Sequence, residues 1–139
     1  MRLLTLLLLS AVLASTASAS GYRHNLSTDL INWGFLKPNI GYDYRLSNHF
    51  SLGSGLSFDA QALEDGIVVT PRLRYETNGA FRDGALVELG ARLPTDDEIL
   101  AEGGLGYSFW VDRMHLTPVA VVRHDMSWQV RLELGYGWY

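Results

Sequence analysis

His124, Asp125, Met126 and Ser127 place a base and a hydroxyl within one four-residue stretch. Nucleophilic hydrolysis needs those two side chains within hydrogen-bond reach. On a β-strand a spacing of three sends them to opposite faces, because side chains alternate. A turn relaxes that rule, and a polar turn between two strands explains the stretch without any chemistry. The other histidines, His24, His49 and His115, have no metal-ligand spacing. Each lies near an expected strand start, where a solvated rim position is anticipated. Asp96, Asp97 and Glu98 form an acidic loop that reads as solvated. No catalytic residue, metal or cofactor is assigned. The first reading is a non-enzyme, and hydrolysis by His124 and Ser127 is the alternative.

The larger chemical population is ionic. Asp43, Arg45, Arg72, Arg74, Glu88, Arg92, Glu102, Arg123, Arg131 and Glu133 fall on the polar faces of alternating segments. Asp29, Asp59 and Glu76 belong to the same faces. The chain holds a single lysine beyond residue 20, Lys37. Arginine pairs better with a buried carboxylate, because its planar fork bonds two oxygens. Enclosed ions must pair, since an unpaired buried charge costs several kcal/mol. The ten residues are therefore expected to form an interior ion-pair network. It either seals the enclosure or lines a thin water path as a gate. The seal is favoured if the enclosure is narrow.

The elements that must position these residues are strands. No window after residue 20 sustains an apolar helical period, and period two dominates. Turn signals divide the chain into eight runs: His24 to Trp33, Pro38 to Leu46, His49 to Asp59, Gly66 to Glu76, Gly84 to Leu93, Ile99 to Val111, Met114 to Arg123 and Ser127 to Trp138. Pro71 and Pro118 fall inside runs four and seven, where local bulges are expected.

Alternation gives each run an apolar face without saying what that face meets. Most runs have nine to twelve residues, and a tilted strand needs ~9–11 to cross a bilayer. The polar face carries Gly41, Gly53, Gly55, Gly90, Gly104, Gly106, Gly135 and Gly137. Small residues suit the crowded inside of an eight-stranded barrel. Aromatics gather near run ends: Trp33, Tyr44, Phe50, Phe58, Tyr75, Tyr107, Phe109, Trp128, Tyr136 and Trp138. Membrane barrels carry aromatic girdles at both interfaces. The competing reading is a soluble β-protein with an aromatic core.

Residues 1–19 differ from the rest. Arg2 precedes an apolar stretch from Leu3 to Leu13, and Ala17, Ser18 and Ala19 form a small-residue cleavage site. That is the pattern of a secretory signal peptide. A spanning helix needs roughly 20 strongly apolar residues, and here the run fades at Ser15 and Thr16. There is no cysteine, hence no disulfide or thiolate metal site. Without Arg2, ten Lys and Arg face fifteen Asp and Glu. That acidic balance argues against nucleic acid, whose binding is mostly cationic contact with phosphates.

The signal peptide, eight amphipathic runs and aromatic final run resemble small bacterial outer-membrane β-barrels of the OmpA/OmpX-like, porin-like superfamily. The stretch Leu36 to Leu46, followed by Phe50 to Leu56, is similar to hairpins of many such barrels. The segment Leu132 to Tyr139 resembles the signal read by the barrel-assembly machinery, with Leu134, Tyr136, Trp138 and Tyr139 as its residues. Tyr139 is out of phase with the apolar face that ends at Trp138. Members of this architecture include anchors, adhesins, narrow pores and lipid A-modifying enzymes. In outer-membrane lipid A deacylases the His and Ser sit two apart, whereas His124 and Ser127 are three apart.

The expectation is an all-β chain: a signal peptide over 1–19, then an eight-stranded antiparallel up-and-down transmembrane β-barrel over 20–139. The resemblance implies a bacterial outer-membrane location and outer-membrane lipid, lipopolysaccharide and the assembly machinery as partners. The expected form is a monomer with a closed, charge-paired interior and a structural or surface-interaction role. A lipid A-modifying hydrolase and a narrow gated channel are the alternatives.

Overall fold

The computed structural model describes residues 21–58, 66–95 and 98–139. The expected signal peptide and the Asp96–Asp97 part of the acidic loop lie outside the described residues, as does Asp59. Eight strands run β1 (His24–Asp29), β2 (Asn39–Arg45), β3 (Phe50–Phe58), β4 (Ile67–Glu76), β5 (Gly84–Pro94), β6 (Leu100–Val111), β7 (Met114–Arg123) and β8 (Trp128–Trp138). Each pairs antiparallel with its neighbour in sequence, and β1 closes on β8, so the sheet is a closed barrel.

The register makes the alternation three-dimensional. Gly53 stands opposite Arg72 and Leu52 opposite Leu73, so like faces meet like. Every strand sends at least one large apolar side chain outward: Leu26, Tyr42, Leu52, Leu73, Leu89, Leu105, Leu116 and Val130 are all exposed. The charges point the other way. Asp43, Arg72, Arg74, Glu88, Arg131 and Glu133 are all buried. Leu86, Val119 and Val121 form a small apolar cluster among them. This molecule is inverted relative to a water-soluble sheet protein, in which apolar faces pack inward.

Three local expectations are corrected. Run one is not a strand to Trp33: β1 stops at Asp29, and a short helix α1 (Leu30–Gly34) follows. Asp29 starts it by accepting from the Ile31 amide at 3.0 Å, the side-chain cap that satisfies a free helix donor. Trp33 closes back on Thr28 through its indole N–H at 2.6 Å. Second, no bulge forms at Pro71 or Pro118. The β4–β5 register reads Val69↔Leu93 and then Arg72↔Gly90, two residues skipped on each strand with none inserted. The β6–β7 register likewise passes from Gly106↔Val119 to Phe109↔Leu116. A missing proline N–H interrupts one ladder, while pairing on the other side continues through Ser54↔Pro71 and Pro118↔Leu132. Third, His115 does not sit on a solvated rim but is 4% exposed inside the barrel.

The two ends differ. Both described chain ends, the β2–β3 turn, the β4–β5 loop and the β6–β7 turn share one end, here the terminal end. The opposite, helical end carries α1 and the His124–Ser127 turn.

Candidate functional site

The site is the barrel interior, and alternation alone selects which side chains enter it. At mid-height four arginines meet four carboxylates. Arg72 forks onto Asp43, its Nε at 2.9 Å from Oδ1 and its Nη2 at 2.8 Å from Oδ2. Its Nη1 reaches Glu133 at 3.0 Å. Arg74 donates to both oxygens of Glu133 and, through Nε, to Glu88 at 2.9 Å. Arg131 pairs closely with Glu88 and lies 3.9 Å from Glu102. Arg123 adds a contact to Glu102 at 3.4 Å and donates to Gln129 at 2.7 Å. Four positive and four negative groups balance, so each buried charge has opposite neighbours to offset its desolvation. Such charge-assisted forks are the strong end of the hydrogen-bond range.

Two of the ten expected residues stay out of this layer. Arg45 is half-buried near the terminal end, beside Gly21. Arg92 is half-buried toward the helical end and makes no ion pair among the described residues. The glycines give the ions room. A Cβ on Gly53 would collide with the Asp43 carboxylate, and one on Gly135 with the His115 ring.

The terminal end is filled by a second group, which the run-by-run reading missed. His115 Nε2 contacts Asn25 Oδ1 at 3.0 Å and its Nδ1 contacts Thr117 Oγ1 at 2.8 Å. Thr117 donates to Ser108 at 3.1 Å, and Asn25 to Asp43 at 3.3 Å. Trp110 packs on His115 in a tilted arrangement with ring centroids 4.4 Å apart. Phe81, from the β4–β5 loop, packs on Trp110 at 6.0 Å. Its amide donates to Glu76 Oε2 at 2.8 Å, which holds the loop inside the mouth. The signal for these inward positions was parity: residues 108, 110, 115 and 117 share a face with Gly104, Gly106 and Val119.

The ion-pair layer closes the interior at mid-height, and the helical end beyond it is hollow. A cavity of about 430 Å³ runs from α1 down to the ion-pair layer. Ser27, Thr28, Asn39, Ser57 and Thr70 contribute polar wall, and Arg92, Arg123 and Lys37 contribute cations.

The proposed nucleophile and base do not meet. Ser127 donates to Asp125 Oδ1 at 2.5 Å, while His124 Nδ1 accepts from the Ala101 amide at 3.0 Å. The Ser127 hydroxyl, and after it the Ser127 amide, hold the Asp125 carboxyl below its usual range. Among the described residues no group of three His, Asp or Glu could hold a metal ion. On β8, Leu134 is half-buried, Tyr136 is exposed, and Trp138 stacks on His24 at 5.4 Å. Tyr139, beyond the strand, sits 5.2 Å from Tyr22.

Comparison with protein-family models, curated proteins and solved structures gives no match. The fold and site therefore define the class by themselves: a closed eight-stranded antiparallel barrel with charges paired inside and most of its large apolar side chains outside.

Proposed function

We propose that this chain is a bacterial outer-membrane β-barrel of the OmpA/OmpX-like type, exported by residues 1–19 and non-enzymatic, with a structural or surface-interaction role. The observation that carries this reading is the inverted polarity. Leu89 and Leu105 are 65% and 66% exposed while Arg74 and Glu88 are 4% and 3% exposed. Water penalises that arrangement twice, and acyl chains reward it. Monomeric soluble proteins rarely expose an apolar patch above a few hundred Å², and here the apolar belt crosses all eight strands.

Position along the strands supports the same reading. Tyr42, Tyr44, Tyr75, Tyr107, Phe109 and Tyr136 ring the terminal end, and Trp33, Phe58 and Trp128 the helical end. Amphipathic rings favour a membrane–water boundary. Closure removes every free strand edge, as a sheet in lipid requires. On this reading the partners are outer-membrane lipid, lipopolysaccharide and the assembly machinery, which would engage Leu134 to Tyr139. By analogy with the resembling barrels, the terminal end faces the periplasm.

The test is fractionation of a Gram-negative host expressing the full chain, followed by electrophoresis with and without heating in detergent. Recovery in the outer-membrane fraction, with a heat-dependent shift in migration, is expected. A product soluble without detergent and showing no shift would overturn the reading.

A further inference from the structure

We infer that the helical-end cavity is a binding site for a small hydrophilic carboxylate that also carries a hydroxyl or ammonium donor. The inference goes beyond an anchoring or structural role. It starts from the balance in the ion-pair layer. Four arginines and four acids balance one another in charge there, though Glu102 Oε2, Arg123 Nε and Arg131 Nε lack hydrogen-bond partners, and that leaves over Arg45 at the terminal end and Arg92 at the helical end. Arg92 projects into the cavity wall from β5, half-buried and without an ion-pair partner among the described residues. A half-desolvated guanidinium presents a planar set of donors suited to a carboxylate.

The opposite wall holds the complement. Asp29 ends β1, and in a closed ring of eight strands β1 faces β5 across the lumen. Its Oδ1 accepts the Ile31 and Leu132 amides, both at 3.0 Å. Asp29 is among the residues lining the same cavity, and its Oδ2 is buried without a hydrogen-bond partner of normal geometry. Buried polar atoms in native proteins are nearly always partnered, so this oxygen, like Glu102 Oε2 on another residue of the same lining, calls for a donor. The lumen thus offers a cation on one side and an unsatisfied carboxylate oxygen on the other. Between them the wall is hydroxyl and amide rather than apolar. The volume, about 430 Å³, falls within the range of ~300–1,000 Å³ for small-molecule sites.

Sugar acids and amino acids share this chemistry, and calorimetry on the refolded full barrel in detergent separates them. The probes are D-glucuronate, L-glutamate, D-glucose and acetate. Saturable binding of glucuronate or glutamate, at least tenfold tighter than glucose and acetate, is expected. Arg92→Met should weaken it at least tenfold, with the heat shift of the barrel retained. Asp29→Asn keeps the Oδ1 acceptor for α1 and replaces Oδ2 with a donor, so it should weaken binding similarly. Arg113→Gln, at the terminal end, should bind as the parent does. Absence of saturable binding by both acids, or affinity unchanged in Arg92→Met or Asp29→Asn, overturns the inference. The assay needs only the folded barrel, so a failed membrane location would appear in fractionation and not here.

Discussion

Arg74 and Glu133 join opposite walls of the barrel: Nη2 of Arg74, on β4, donates to both carboxylate oxygens of Glu133, on β8, at 2.6 and 2.7 Å. Strands four apart in a closed ring of eight face each other, so this pair is a tie-rod through the lumen. Glu133 also receives Arg72 from the same wall as Arg74. Replacing it leaves two buried guanidiniums short of a partner at the floor of the helical-end cavity.

Glu133→Gln should therefore destabilise the barrel by about 3–5 kcal/mol, the usual effect of breaking a buried ion pair from one side. Urea titration of the protein refolded into lipid vesicles measures it. A loss below about 1 kcal/mol would show that the layer tolerates an uncompensated arginine.

The outer face makes a depth-dependent prediction. Leu105 lies mid-strand on β6 and Val111 at its end, and both are exposed. In lipid, Leu105→Arg should cost about 2–4 kcal/mol and Val111→Arg about 0–1 kcal/mol. Equal and negligible effects in the same vesicle titration would mean that the belt does not meet acyl chains.

Gly135 presents a steric prediction. A Cβ there meets the His115 ring, which Asn25 and Thr117 hold from both sides. Gly135→Ala should therefore displace the imidazole and cost about 1–3 kcal/mol, as overpacking does. Gly103 has no atom nearer than 3.8 Å to such a Cβ, so Gly103→Ala is the matched control. Near-parent stability is expected for it in the same urea titration.

The His124–Ser127 turn predicts a titration. Asp125 should protonate below the ordinary carboxylate range, because the Ser127 hydroxyl and amide both donate to it. Since the folded value is the lower one, the turn gains stability above the unfolded pKa and loses it as pH falls through the folded one. Carboxyl-carbon NMR follows this directly, and Ser127→Ala should move the midpoint back up. Loss of the hydroxyl without any upward movement would remove it as the cause.

Much of the barrel was legible residue by residue. The clean alternation Ile40, Tyr42, Tyr44, Leu46 against Gly41, Asp43 and Arg45 marks β2 and its two faces. The run Val119 to Val122 was ambiguous because all four residues are apolar. Only pairing with β8 decides that Val119 and Val121 turn inward. Asp29 was readable as an inward acid, but its second role as helix cap was not. A cap is recognised by the turn that follows it, and Leu30 to Trp33 continue an apolar pattern equally compatible with a strand. His115 was misplaced because closeness to a strand start suggested a rim. The β4–β5 loop folds inward over it through Phe81, and no local pattern announces such a contact.

The sequence by itself determined the eight strands, the segregation of ions from apolar side chains and the preference for arginine, because these depend on residue type and a two-residue period. Only the tertiary structure decided which ions touch, that Arg92 is left over, and that one end is filled while the other stays hollow. Those outcomes depend on register and on which walls face each other. Both are set when β1 closes on β8, a contact between residues more than a hundred positions apart.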